Sequence, residues 1–169
     1  DQSMVHEFLQ KHAAYNSCLP VHFKNFGFKP EELKIDGRTV DCFVAIFGNK
    51  DRAGDVLIKG CFAKSLQERG PESANPEIAY LWQHKMDHPL GRPLILEERE
   101  QGLFASNYHD EGVVKADEAL IQQKSGTLKF FSIGFNYVWD KVEYDSEHDQ
   151  FIVKEVELFE ESVVTIAAN

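Results

Sequence analysis

Thr127-Leu-Lys-Phe-Phe-Ser-Ile-Gly-Phe-Asn-Tyr137 is a period-2 stretch: Phe131, Ile133, Phe135 and Tyr137 fall on one side of a strand, and Phe130, Ser132, Gly134 and Asn136 on the other. The first side reads as core. On the second, Ser132 is followed at the next same-face position by Gly134, which leaves room above the hydroxyl for another group to approach. That is the shape of a nucleophile site. The plainer reading is a small polar residue on a half-exposed face, so the company it keeps elsewhere in the chain decides.

Downstream, the strand runs out into the charged, turn-rich residues Asp140 to Gln150, and a last strand pair starts at Phe151. Within Val156-Glu-Leu-Phe-Glu-Glu-Ser-Val-Val164, period 2 puts Val156, Leu158, Glu160, Ser162 and Val164 on one face. Glu160 is the odd member of that face. A carboxylate there needs a partner, because an unpaired buried charge is too costly, and a histidine that becomes positive during turnover would serve.

Upstream, Val113 to Lys124 carries Val114, Asp117, Leu120 and Ile121 at helical spacing and ends before Gly126. Leu94 to Leu96 and Leu103 to Tyr108 form a hairpin around the acidic turn Glu97 to Gly102. Before it, Ile78-Ala-Tyr-Leu-Trp-Gln-His84 reads as a buried strand that ends on a histidine. Polar Lys85 to His88 and Pro89-Leu-Gly-Arg-Pro93 follow, and no helix could traverse the latter. Gly70 to Pro76 is loop by composition, after a short helix over Cys61 to Arg69. Val56 to Ile58 precedes that helix as a strand and follows the turn formers Gly48 to Asp55. Thr39 to Phe47 is a strand entered through the turn Asp36-Gly37, Leu19 to Phe28 another, and residues 2 to 14 a short helix.

Composition bounds what these elements do. The 169 residues suffice for one well-filled domain. A formal charge of −10 argues against phosphate binding, so nucleic acid is not expected as a partner. No apolar run reaches the length that crosses a bilayer, and the first residues lack the pattern of a secretory signal, so no membrane partner and a cytoplasmic site are expected. Cys18, Cys42 and Cys61 are widely spaced and read as reduced, partly buried thiols.

Ser132, His84 and Glu160 together make one chemical proposal. His84 takes the proton of Ser132 as it attacks a carbonyl, and Glu160 holds the imidazole tautomer and stabilises the imidazolium. No metal or other cofactor is needed. The G-x-S-x-G elbow is absent, which argues against an α/β-hydrolase. His84 and His88 have the spacing of metal ligands on a helix, but Pro89 and the missing glutamate of H-E-x-x-H weaken that reading. The other histidines read as solvated, with His109 or His148 kept as substitutes for the third member. Arg92 and Lys129 are candidate oxyanion helpers that nothing selects.

Five motifs in series resemble the prohead maturation proteases of tailed bacteriophages. They are Phe43 to Leu66, Leu81-Trp-Gln-His84 with Pro89-Leu-Gly91, Gly102-Leu103, Phe131-Ser-Ile-Gly-Phe135, and Leu158-Phe-Glu-Glu-Ser-Val-Val164 with Ala168-Asn169. The resemblance covers residues 35 to 169. It implies an α+β fold, a mostly antiparallel β-barrel with a few surrounding helices, like the herpesvirus assembly proteases. It implies a protease domain over 34–169 preceded by an N-terminal extension over 1–33. His84 matches the histidine closing the L-W-x-H motif, Ser132 the serine of S-I-G-[FY] and Glu160 the glutamate of E-x-S. Glu161 stands where the family has an apolar residue, and Ala167 where it has a proline. The implied activity is that of a serine endopeptidase of phage or prophage origin, acting in the host cytoplasm inside the immature capsid. Its substrates would be the scaffold or major capsid protein and itself, and analogy with the dimeric herpesvirus enzymes adds a homodimer. A non-enzymatic capsid assembly or scaffold module with the same barrel is the rival reading.

Overall fold

The computed structural model describes residues 22–27, 33–51 and 53–166. The helix expected over residues 2 to 14, Cys18 and the terminal Ala168-Asn169 lie outside them.

The strand that carries Ser132 is β8 of eleven among the described residues: β1 (His22–Gly27), β2 (Lys34–Asp36), β3 (Thr39–Ile46), β4 (Asp55–Leu57), β5 (Ala79–Trp82), β6 (Lys85–Glu98), β7 (Gly102–His109), β8 (Phe130–Tyr137), β9 (Val142–Asp145), β10 (Gln150–Val153) and β11 (Val156–Val164). Among the described residues two α-helices interrupt them, α1 (Ala63–Arg69) and α2 (Val114–Lys124). Eight strands form one curled sheet in the order β1-β8-β11-β5-β6-β7-β3-β2, and β4, β10 and β9 form a second, smaller one. The fold is thus α+β with few helices. β8 buries Phe131, Ile133 and Phe135 completely or nearly so, each burial contributing roughly 1.5–3 kcal/mol.

Within this order, prolines and bulges shift the registers. β6 is a single long strand that starts directly after His84, where the sequence suggested a polar loop followed by a short strand. Its registers slip beside Pro89 and between Pro93 and Ile95, as expected where a strand carries residues that cannot donate to the ladder. Gly91 sits where β6 pairs with both β5 and β7; it has a positive φ, and a Cβ there would run into the Tyr108 carbonyl. The last two strands are not partners of each other. β10 pairs with β9 and, in parallel, with β4, while β11 enters the large sheet between β8 and β5. Residues 140–150, read as a loop, contain β9.

α2 has the expected bounds and a different buried face. Ala116, Ala119, Leu120 and Gln123 point inward, whereas Val114 and Ile121 are 71% and 66% exposed. The alanines allow the helix axis to lie close to β6 and β7, and that small-residue face outweighs the pattern set by the larger side chains.

Candidate active site

β11 is central to the site because β8 lies antiparallel on one side of it and β5 parallel on the other. Opposite Ser132 in the ladder is Ser162, and opposite Gly134 is Glu160. Directly opposed residues of an antiparallel pair project from the same face, so Ser132, Ser162 and Glu160 share one side of the sheet. β5 ends at Trp82, and its chain returns through Gln83 and His84 to Lys85, the residue that Trp82 pairs with. Both turn residues have positive φ, 50° and 59°, the two-residue form usually made by Asn-Gly. Histidine tolerates this conformation better than most residues.

The tight turn brings His84 back over β11. Its Nδ1 lies 2.5 Å from Glu160 Oε1, and its backbone N–H donates to Ser162 Oγ at 3.1 Å. The Ser162 hydroxyl in turn donates to Glu160 Oε2 at 2.6 Å. Because a carboxylate oxygen only accepts, neutral His84 carries its proton on Nδ1 and presents Nε2 as the basic nitrogen. The His84 side chain is 17% exposed and the Glu160 carboxylate 0%. The imidazole thus stands at the rim of the site, with the carboxylate that holds it beneath.

A β-bulge explains why Glu160 is here. The β8–β11 register shifts between Leu158 and Glu160, so Leu158 stays with Phe135 on the core face while Glu160 crosses to the face of Gly134. Strict alternation would have kept Glu160 on the apolar side. The residue actually delivered to the core is Glu161, opposite Ile133. It is fully buried and accepts a hydrogen bond from Asn107 Nδ2 at 3.0 Å. Burial pushes its carboxyl up to about 8, against the smaller opposing effect of the Asn107 bond.

Gly134 also acts differently from expectation. The space above it is not open: the Glu160 carboxylate lies over it, closer than any Cβ would allow. The glycine thus makes room for the acid. Ser132 itself is 0% exposed, flanked in the ladder by Ser162 and, on β1, by Asn25.

The remaining candidates lie elsewhere. His109, read as solvated or as a substitute third member, is buried in the interior. Its Nδ1–H donates to the Arg38 carbonyl at 3.2 Å, so its Nε2 accepts from Tyr80 Oη at 3.2 Å, and burial lowers its pKa. His148 is engaged on the surface by Asp145 at 2.8 Å, and His88 by Asp87 at 2.8 Å, while His84 is held by Glu160. Arg92 is largely exposed, with its guanidinium over Tyr108 and 3.8 Å from Asp110. Lys129 sits over the Phe130 ring. Cys42 and Cys61 are buried, and burial raises the pKa of the Cys42 thiol, which keeps it protonated and unreactive. Sequence reasoning passed over Gln83, whose turn position carries no signature, and treated Ser162 only as a member of a face. The E-x-S spacing was the available signal for Ser162, since two residues apart on a strand share a side.

Comparison with known proteins gives a consistent result. A family model for caudovirus prohead serine proteases matches residues 26–169. The prohead protease of Escherichia phage T5 is 35% identical over 140 residues, which cover 80% of this chain and 63% of that protein. The prohead protease of Enterobacteria phage HK97 is 27% identical over 157 residues, 89% of this chain and 67% of that one. The chain therefore spans about two thirds of the length of these relatives. The solved capsid assembly protease of bacteriophage T4 superposes with a TM-score of 0.63 at 13% identity, over 85% of this chain and 96% of that chain, a likeness of fold.

Proposed function

The chain belongs to the caudovirus prohead serine protease family, and from that membership we propose that it is a serine endopeptidase cleaving scaffold or capsid protein, and itself, inside the immature capsid. Ser132 is the nucleophile, His84 the general base and Glu160 the residue that orients His84. The observation that carries the reading is the 2.5 Å contact between His84 Nδ1 and the fully buried Glu160 carboxylate, on the sheet face shared with Ser132.

In the first half of the reaction, Ser132 Oγ attacks the scissile carbonyl carbon and its proton passes to His84 Nε2. The carbonyl electrons move to oxygen, and Glu160 balances the imidazolium at Nδ1. Collapse of the tetrahedral species breaks the C–N bond, and His84 returns the proton to the leaving amine. Water then repeats the sequence on the acyl-enzyme and frees Ser132. Residues 34–169 form the protease domain, to which the N-terminal extension adds β1 beside β8. The curl of the sheet, which brings β1 and β8 close to β3, supports a closed barrel of the herpesvirus assembly protease kind, and a homodimer by the same analogy.

The test is self-cleavage. Intact mass of the purified, concentrated chain is followed over days beside Ser132→Ala: the parent truncates, and the folded variant stays whole. Equal truncation of a folded Ser132→Ala protein would overturn the assignment. The full burial of Ser132 favours a second reading, a capsid assembly module without activity, and that reading predicts that neither protein is cut.

A further inference from the structure

We infer that Ser162 is a positioning residue which, through one hydroxyl, fixes both His84 and Glu160 relative to each other. The inference rests on the serine-protease reading for its catalytic consequence, but its geometry stands apart from it. A hydroxyl has one proton to give and lone pairs to accept with. Ser162 gives that proton to Glu160 Oε2 at 2.6 Å and accepts the His84 backbone N–H at 3.1 Å. Glu160 is left with Oε1 for His84 Nδ1. The three groups close a ring in which base, acid and hydroxyl each hold the other two, and Ser162 and Glu160 are both wholly buried.

The ring has a task that ordinary packing would not supply. His84 and Gln83 both occupy the left-handed region, which is strained for a residue with a Cβ. Such a conformation persists only when its surroundings over-determine it. β11 and the residue that follows it supply the restraint: Gln83 N–H donates to the Val163 carbonyl at 3.0 Å, the Gln83 side chain donates to Thr165 Oγ1 at 2.5 Å and accepts from Thr165 N–H at 3.3 Å, and Ser162 holds His84. Of these, Ser162 alone reaches both the turn and the acid. Its proton is directed to Glu160 and not to His84, so in this arrangement it is not set up as the nucleophile. Without the hydroxyl, Glu160 loses a donor and the turn an acceptor, so the imidazole is free to leave its line.

The experiment compares the parent with Ser162→Ala by two readouts. One is the rate of fluorophosphonate labelling at Ser132. The other is the low-field proton resonance of the His84 Nδ1–H···Glu160 bond, identified by its loss in His84→Ala. The expected result for Ser162→Ala is labelling slowed about 100-fold, the order that follows a misplacement of about 1 Å, with the resonance broadened away and the fold retained. Labelling at the parent rate with the resonance intact would overturn the inference. If Ser162→Ala does not fold, Ser162→Thr and Ser162→Val carry the same comparison at matched volume. The hydroxyl variant should then keep the resonance and the isostere lose it, and equal behaviour of the two would again overturn it. Absence of label in the parent would count against Ser132 as nucleophile, and the resonance would still decide on Ser162: lost without the hydroxyl, the inference stands; retained, it fails.

Discussion

Glu161 is the residue on which the β11 bulge places a burden. On the core face it meets Ile133 across the ladder and Asn107 through a hydrogen bond, and burial raises its carboxyl to about 8. The sign of the consequence follows from proton counting. Above the ordinary carboxylate range the unfolded chain has released this proton and the folded chain has not, so stability falls as pH rises, until the folded carboxyl ionises near 8. Glu161→Gln keeps the shape and removes the titration. Urea midpoints of the parent should therefore drop between about pH 5 and about pH 8, and Glu161→Gln should flatten that drop, gaining a few kcal/mol at the upper end. Parallel pH profiles for the two proteins would contradict the assignment of a neutral, buried Glu161.

At the scale of elements, β8 and β11 work as a fitted pair. Gly134 leaves the Glu160 carboxylate a seat, and that carboxylate is tied at both oxygens, by His84 and by Ser162. Gly134→Ala must push it away from one of them. The expectation is a folded protein whose labelling at Ser132 falls about 100-fold; an unchanged rate would mean that the carboxylate has room to spare. Much of this pair was legible in the sequence. The alternation of Phe131, Ile133, Phe135 and Tyr137 gave the core face of β8, and an acid and a serine two apart flagged β11. What alternation could not show was the bulge, because a bulge changes pairing without changing composition. Glu160 was singled out as a misfit in the core, yet it lies on the opposite face, and the true misfit is its neighbour. The inward face of α2 escaped for a related reason: Val114 and Ile121 carry the larger apolar signal, but Ala116 and Ala119 are what close packing against β6 and β7 requires.

At the scale of the whole molecule, the site depends on β11, the last strand in sequence, running between β8 and β5. That insertion makes one parallel and one antiparallel neighbour and gathers three distant residues on adjacent elements. Sequence spacing holds no record of such an order, since each strand's own pattern is compatible with several neighbours. The residues themselves made Ser132, His84 and Glu160 the candidates, and the family motifs fall on the same three positions. Ser132 lies in the ladder between β1 and β11 and has no exposed surface. The measurement that bears most directly on the whole account is fluorophosphonate labelling of concentrated protein with the modified residue mapped by mass spectrometry, beside Ser132→Ala and His84→Ala. Label is expected on Ser132 and is expected to disappear in both variants. A folded, concentrated parent that takes no label, or a Ser132→Ala protein labelled as fast as the parent, would contradict it.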